Sequence, residues 1–306
     1  MTSPPFHPRL LHPRYWPTWL GIGLMWLLSW LPIAVLMRLG AGLGWLTGHL
    51  IRGRRHVVRT NLRLCFPELP EAERERLTDQ HFRDLGVGLF ETALAWFAPD
   101  WRLRGYGSVV GAEHLHAVQT DGHGALLLTG HFTTLELGAR FLCLAGIPFH
   151  AMYRPYNNAV MDWCMHRWRQ QRSKLPALPR SDLRRLVRAL REGRAIWYAP
   201  DQALDQRMSV YAPFFGTPVQ SITATARLAQ MGRARVVPYF PVRANGRYQV
   251  HILPALTDFP GGDDVNDATR INQVLEDGVR LAASQYFWIH KRFKRVPTGT
   301  PNPYKR

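Results

Sequence analysis

The sequence predicts an α/β fold carried by an N-terminal membrane helix, and three observations support this prediction. Apolar runs of strand length alternate with helical patterns from about residue 125 to residue 198, which indicates a mainly parallel sheet flanked by helices. No residue from 15 to 37 is charged, and a helix of 23 residues spans roughly 35 Å, enough to cross a bilayer. The length of 306 residues is sufficient for one large domain with a substantial core.

Residues 15–37 are predicted to form a single transmembrane helix that the mature protein retains. The segment is longer than the apolar region of a standard cleaved signal peptide, and its tryptophans favour a membrane interface. A buried core helix is the alternative, because Pro32 and several glycines interrupt the segment. More arginines follow it than precede it, so the positive-inside rule places the rest of the chain in the cytoplasm.

Three regions follow from this pattern. Residues 1–60 are the membrane anchor with an interfacial helix over about 39–51, residues 61–296 are the α/β domain, and residues 297–306 are a loose basic tail. Within the domain, a long helix is predicted over 71–97, ended by Pro99. The later strands are predicted at 125–128, 149–153, 195–198, 234–240 and 248–252, with helices at 135–145, 159–171, 182–191 and 267–283.

The charge balance predicts an anionic partner. Thirty-nine Lys+Arg against 22 Asp+Glu give a net charge of +17, which attracts acidic phospholipid, phosphorylated substrates, acidic proteins or nucleic acid. The basic run 290–295 suggests nucleic-acid binding as one alternative, but no recognised binding motif accompanies it, and we predict no nucleic-acid partner. The three cysteines include no C-x-x-C pair, so no metal site is predicted, and no cofactor motif is present.

A histidine followed five residues later by a carboxylate is the main candidate for catalysis. His131 and Glu136 have this spacing, and so do His116 and Asp121. With 13 histidines and 22 acids, about one such pair is expected by chance. The context favours His131, since it follows a predicted strand and precedes a helix, and catalytic residues of open α/β sheets collect at the carboxyl ends of strands.

The residue types fit acyl transfer to an alcohol. A histidine can remove the hydroxyl proton as the alcohol attacks a thioester, and Glu136 can fix the tautomer of the imidazole and stabilise its cation. The competing interpretation is structural: Thr133 and Glu136 have the spacing of a capping box at a helix start. The usual motifs of covalent serine catalysis, zinc proteases and P-loops are missing from the sequence.

Two further side chains are predicted to line the site. Arg154 follows the strand at 149–153 and can clamp a phosphate or carboxylate, although a solvated surface arginine is the alternative. Asp201 follows the strand at 195–198 and can orient a substrate hydroxyl, pair with Arg154, or only form a turn. Phe214 and Phe215 suit either an acyl chain or the core.

Taken together, these segments resemble the late acyltransferases of lipid A biosynthesis, the lauroyl/myristoyl transferase family. The resemblance rests on ordered blocks that span nearly the whole chain: Gly130-His131-Phe132 with Leu135-Glu136, Tyr153-Arg154-Pro155 with Asn157-Asn158, Trp197-Tyr198-Ala199-Pro200-Asp201-Gln202, Pro213-Phe214-Phe215-Gly216, Thr269-Arg270-Ile271-Asn272 and Gln285-Tyr286-Phe287-Trp288-Ile289-His290-Lys291-Arg292-Phe293-Lys294. One departure is Ala203-Leu204-Asp205, where the family usually has a further acid, an aromatic residue and glycine.

The resemblance implies a glycerolipid-acyltransferase-like mixed sheet flanked by helices, with one membrane helix. It implies that His131 and Glu136 are the catalytic pair, and that Arg154 and Asp201 lie in blocks that line the site. The implied reaction transfers a fatty acyl group from acyl-acyl carrier protein to a hydroxyl of a lipid A precursor, on the cytoplasmic face of the inner membrane. Two alternatives stay open: the same chemistry on another glycolipid such as a phosphatidylinositol mannoside, and an inactive scaffold.

Overall fold

A computed structural model describes residues 5–202 and 208–305 of the chain, and it shows a mixed sheet of seven strands flanked by helices, with a separate hairpin. The unusual block Ala203-Leu204-Asp205 lies outside the described residues. The helices are α1 (Trp16–Leu28), α2 (Ile33–Leu50), α3 (Arg52–Cys65), α4 (Glu71–Phe97), α5 (Asp100–Leu103), α6 (Ala112–Thr120), α7 (Leu135–Leu144), α8 (Ala159–Ser173), α9 (Leu183–Arg191), α10 (Ala224–Gly232) and α11 (Asp264–Leu281). The strands are β1 (Gly107–Val110), β2 (Gly124–Leu128), β3 (His150–Tyr153), β4 (Leu178–Pro179), β5 (Ala195–Tyr198), β6 (Ser209–Phe214), β7 (Thr217–Ile222), β8 (Ala234–Ala244) and β9 (Arg247–Ile252).

The predicted α/β fold is confirmed. The strand order is β1-β9-β8-β2-β5-β3-β4, with β8, β2, β5, β3 and β4 parallel to one another. The central strands β2 and β5 are buried throughout, which explains their continuous apolar sequences. Strand β9 runs antiparallel to β8 across the predicted Asn245-Gly246 turn, where both residues have positive φ.

The two faces of the sheet carry different helices. Leu126 and Leu128 of β2 point to one face, where they share a core with buried residues of α3, α9, α10 and α11. Ala125 and Leu127 point to the other face, where the core is completed by residues of α2, α4, α7 and α8. The apolar N-terminal helix α1 packs on α4 and α8, and α2 packs mainly along α4 and also contacts α3.

The prediction of one continuous helix over residues 15–37 was wrong. The chain breaks between Leu28 and Ile33, and Pro32 occupies the N-cap of α2 because its ring cannot donate a backbone hydrogen bond inside a helix. The guanidinium of Arg102 donates to the backbone oxygens of Ser29 and Leu31, which satisfies carbonyls freed by the break.

One described helix, α2, is long and apolar enough to cross a membrane by length and composition. It covers the region where an interfacial helix was predicted. Both α1 and α2 expose large apolar side chains, a feature typical of surfaces that contact lipid. The exposed residues include Trp16, Leu20, Leu24, Trp26, Leu27, Leu39, Leu43, Trp45, Leu46 and Leu50.

Glycines allow α2 to pack closely on α4. A Cβ added at Gly44 would lie 2.0 Å from the backbone oxygen of Phe82, and one at Gly40 would lie 2.7 Å from the Cα of Val87. These glycines, with Gly48, recur every fourth residue and therefore share one face of α2. The close approach fixes the membrane candidate helix on the α/β domain.

The C-terminal tail is docked at its end, so the prediction that residues 297–306 are loose was wrong for Tyr304. The Tyr304 ring is 8% exposed, and its hydroxyl donates to Asn61 Oδ1 and accepts from the Phe293 N–H. Asn61 also donates to the backbone oxygens of Trp288 and His290. These hydrogen bonds join the tail, α3 and the segment after α11.

Candidate active site

The parallel sheet brings the residues after β2 and β5 together. These two strands are adjacent and in register from Ala125↔Ala195 to Leu128↔Tyr198. His131 follows the first strand by three residues and Asp201 follows the second by three residues. The two side chains therefore meet at the carboxyl edge of the sheet, where open α/β folds place their sites.

Asp201 holds His131 through two hydrogen bonds. Its Oδ1 lies 2.5 Å from Nδ1 of His131, and its Oδ2 accepts the backbone N–H of the same residue at 2.9 Å. The carboxylate is buried, with 2% of the side chain exposed, whereas the imidazole is 34% exposed. Nδ1 of the neutral imidazole must carry its proton to donate to the carboxylate, which leaves Nε2 as the acceptor.

Each partner shifts the pKa of the other. Burial by itself would raise the pKa of Asp201, but the charge and hydrogen bonds of His131 outweigh it and lower that pKa to about 2. Burial would lower the pKa of His131, but the charge and hydrogen bond of Asp201 outweigh that effect and raise it above the ordinary 6.5. The pair thus combines a permanent carboxylate with a histidine of increased basicity.

The segment after α11 forms hydrogen bonds with this pair and with the loop that carries His131. The Tyr286 hydroxyl donates to Oδ2 of Asp201 at 3.0 Å, and the ring is buried. The backbone N–H of Phe287 donates to the oxygen of His131 at 2.9 Å, and Thr133 donates to the oxygen of Gln285 at 2.7 Å. The loop that carries His131 is therefore paired with residues more than 150 positions away in the sequence.

Glu136 does not contact the imidazole. Its carboxylate accepts from Trp96 Nε1 at 3.2 Å and forms an ion pair with Arg169, and both Glu136 and Arg169 are largely buried. The carboxylate that orients His131 is that of Asp201. Asp201, and not Glu136 as predicted, therefore fixes the tautomer of the imidazole. The competing capping box is not formed, since α7 has no side-chain cap and Glu136 bonds elsewhere.

Arg154 lies at the mouth of a cleft of about 500 Å³ that opens beside the pair. The cleft is lined by His131, Leu135, Glu136, Met152, Tyr153, Arg154, Pro155, Tyr156, Asn157, Arg169 and Trp197. Arg154 is exposed and forms no ion pair within residues 5–202 and 208–305, and the suggested pairing with Asp201 is not observed. Three of the four predicted residues, His131, Glu136 and Arg154, line this cleft. The fourth, Asp201, is hydrogen-bonded to His131.

Sequence reasoning gave no role to Tyr286 or Arg169. Tyr286 belongs to one of the blocks that carry the family resemblance, which was the available indication of its importance. Arg169 lies in a predicted helix among many arginines, and no local pattern distinguishes it. Phe214, suggested for an acyl chain or the core, is fully buried at the end of β6, against Tyr286 and Phe293.

Comparison with known proteins covers nearly the whole chain. A family model described as bacterial lipid A biosynthesis acyltransferase matches residues 3–295. The chain is 42% identical over 304 residues to the lipid A biosynthesis lauroyltransferase of Escherichia coli (strain K12), which covers 98% of this chain and 99% of that protein.

Two further relatives from the same organism bear different acyl names. The chain is 38% identical to a lipid A biosynthesis palmitoleoyltransferase over 302 residues, covering 98% of each protein. It is 29% identical to a lipid A biosynthesis myristoyltransferase over 306 residues, covering 99% of this chain and 94% of that protein. The chain therefore belongs to the bacterial lipid A biosynthesis acyltransferase family and is an acyltransferase.

Proposed function

We propose that this acyltransferase moves a fatty acyl group from acyl-acyl carrier protein to a hydroxyl of a lipid A precursor, with His131 as the general base. The observation that carries the proposal is the His131–Asp201 pair at the cleft, because it supplies a basic nitrogen held in one tautomer. The same pair is the usual means of activating an alcohol for attack on an acyl group.

The proposed reaction has two steps. Nε2 of His131 takes the proton of the acceptor hydroxyl as its oxygen attacks the thioester carbonyl carbon, which forms a tetrahedral oxyanion. The oxyanion then collapses, the carbon–sulfur bond breaks, and the imidazolium returns the proton to the leaving thiolate. The products are an ester and a free thiol. Asp201 stabilises the imidazolium without taking its proton, since its pKa is about 2.

Glu136 and Arg169 are assigned to the opposite side of the reacting carbonyl. Both line the cleft, and Arg169 uses one of its N–H donors on Glu136. Its other donors, with the N–H groups at the start of α7, provide positive charge for the oxyanion. Glu136 is a positioning residue in this proposal, because its carboxylate fixes the guanidinium that faces the reacting atoms.

A lipid acceptor fits the surroundings of the cleft. A second groove of about 450 Å³ begins at Leu43 and Thr47 of α2, passes Leu89 of α4, and ends at Phe132 and Glu136. Leu135 and Glu136 line both this groove and the catalytic cleft, so the groove borders the cleft on the side of α2. An acceptor whose acyl chains remain in a bilayer can therefore present its hydroxyl to His131.

We propose the inner membrane as the location, with α2 as its single span and the α/β domain on the cytoplasmic face. The apolar surface of α1 and α2 and the arginines that follow α2 support this arrangement. The net charge of +17 suits both anionic phospholipid and an acidic carrier protein.

The test is transfer from acyl-acyl carrier protein to a tetra-acylated lipid A precursor by the purified protein in detergent. The wild type should form the acylated product, and His131→Ala should abolish it while remaining folded. His116→Ala is the matched control, because His116 is exposed on α6 with an acid at the same spacing, and its activity should equal that of wild type.

Two results would contradict the proposal. Full activity of the His131→Ala variant would remove the proposed base, and failure of the wild type to acylate this precursor would remove the acceptor. In the second case, mass spectrometry of lipids from a deletion strain would identify another glycolipid, such as a phosphatidylinositol mannoside, as the acceptor.

A further inference from the structure

Arg180 lies beside the mouth of the cleft. Tyr153 and Pro179 are partners across β3 and β4, so Arg154 and Arg180 follow these strands at neighbouring positions. The Arg180 N–H donates to the oxygen of Tyr153 at 2.9 Å, which fixes this arrangement. Arg180 is exposed, so its charge is presented next to the arginine that lines the cleft.

Helix α9 continues this charge along the surface. Arg184 and Arg188 are four residues apart, so they share one face of the helix, and both are exposed. Leu186, Ala189 and Leu190 form the buried face. We call Arg180, Arg184 and Arg188 the arginine ridge; within the described part of the chain none of them forms an ion pair.

An apolar side chain accompanies the ridge. Leu183, at the start of α9, is 46% exposed between Arg180 and Arg184. The nearest acid, Asp182, caps the helix and pairs with Arg185 at 3.7 Å, so it is already engaged with another cation. Positive charges around one exposed leucine suit a partner surface that combines acids with apolar residues.

The ridge is accessible from water. Helix α9 packs on β2, β5 and α10, whereas α1 and α2 pack on α3, α4 and α8. The exposed apolar residues of α1 and α2, which a bilayer would surround, therefore belong to helices that pack on other elements than α9 does. A soluble protein is a better match for the ridge than a lipid headgroup.

We infer that the arginine ridge is the docking surface for the acidic body of the acyl carrier protein, an inference that rests on the proposed donor. Docking there places the carrier beside Arg154, at the opening through which its thioester arm reaches His131. The ridge contributes to binding of the carrier and takes no part in the chemistry, because the reacting carbonyl lies inside the cleft.

Two donors separate docking from chemistry. Acyl-acyl carrier protein carries the acidic body, whereas the same acyl group on free pantetheine presents only the arm. The test compares KM and kcat for both donors in the full-length wild type and in the Arg184→Glu/Arg188→Glu variant. Arg235→Glu is the matched control, because Arg235 is an exposed arginine on β8 that pairs with Ala125 at the amino edge of the sheet.

We expect KM for the carrier donor to rise about tenfold or more in the double variant, with kcat unchanged, because reversed charges repel the acidic partner. KM for the pantetheine donor should stay at the wild-type value, and the Arg235→Glu control should match wild type with both donors. Added salt should raise the wild-type KM for the carrier donor, since exposed charges are screened.

Three outcomes would overturn the inference. An unchanged KM for the carrier donor would show that the ridge does not bind it, while the proposed reaction would stand. An equal rise with both donors, accompanied by loss of binding to anionic vesicles, would assign the ridge to the membrane surface. Transfer from the pantetheine donor but none from the carrier in the wild type would remove the proposed donor, and the docking surface with it.

Discussion

At the scale of single residues, the proposed chemistry depends on what surrounds His131. An exposed histidine with an ordinary pKa populates both tautomers, and its imidazole is less basic than one held beside a carboxylate. Here Asp201 accepts from Nδ1 and raises the pKa of the imidazole, while Tyr286 donates to the same carboxylate. These contacts leave Nε2 of His131 as the basic nitrogen, and each contact can be removed by a single substitution.

Replacing Asp201 by Asn should lower kcat by roughly a thousandfold, because an amide does not stabilise the imidazolium. Activity requires the neutral imidazole, so the wild-type rate should rise with pH through a midpoint above 6.5. Loss of the carboxylate removes the cause of the raised pKa, and the midpoint should therefore move to lower pH in the variant. Rates of acyl transfer measured across pH would show the shift; an unchanged midpoint would mean that Asp201 does not control His131.

The Tyr286→Phe variant should keep its KM but lose roughly tenfold in kcat, since one hydrogen bond to a buried charge is removed without changing the ring. Tyr211→Phe is the control, because the Tyr211 hydroxyl donates to a backbone oxygen at an exposed position. Steady-state kinetics of wild type and the two variants would show a lower kcat for Tyr286→Phe and an unchanged kcat for Tyr211→Phe. A rise in KM alone would indicate that Tyr286 contacts substrate instead of positioning Asp201.

At the scale of elements, the contact between α2 and α4 has the sharpest steric requirement. The backbones approach so closely that a methyl group at Gly44 would meet the oxygen of Phe82 at 2.0 Å. Gly42 belongs to the same helix, but a Cβ there would meet no atom within 4 Å. The two positions therefore separate the intrinsic cost of glycine in a helix from the effect of packing.

Gly44→Ala should destabilise the protein by about 2 kcal/mol, because the clash with backbone outweighs the gain in helix propensity. Gly42→Ala should instead stabilise it by about 0.5–1 kcal/mol, since only propensity changes. Thermal unfolding in one detergent would show Tm values that move in opposite directions. Equal shifts in the two variants would be inconsistent with close packing of α2 on α4.

At the scale of the whole molecule, distant parts of the chain meet behind the site. Tyr304 at the C-terminus bonds to Asn61 of α3, and Asn61 bonds to the segment that continues from Tyr286. The tail is therefore linked through Asn61 to the segment that forms hydrogen bonds with the loop carrying His131. Its contribution is to stability, because none of its described contacts lies in the cleft.

Tyr304→Phe should lower the free energy of unfolding by about 1–3 kcal/mol, because it leaves the Phe293 N–H and Asn61 Oδ1 buried without their partner. Lys305→Ala, at the neighbouring exposed position, should change it little. Denaturation curves for the two variants would measure the difference. If both variants unfolded like wild type, the docked tail would contribute no stability.

Much of the fold was predictable, because the buried strands carry continuous apolar sequences and the long helices are strongly periodic. The sequence patterns predicted β2, β3, β5, β8 and β9 and the helices α4, α7, α8, α9 and α11. Strand β1, helix α10 and the β6–β7 hairpin were missed. Strand β1 has only four residues, and its partner β9 lies far along the chain. Pro32 interrupts the sequence of the predicted helix over residues 15–37, and in the structure it separates α1 from α2.

The sequence by itself determined the fold class and the family resemblance, and it proposed His131 as the base, because local periodicity and ordered motifs carry that information. Only the tertiary structure decided which carboxylate orients the histidine. Glu136 is near His131 in sequence, but the start of α7 directs it to Arg169, whereas the pairing of β2 with β5 brings Asp201 to the imidazole. Strand order is a long-range property of packing, and spacing along the chain does not reveal it.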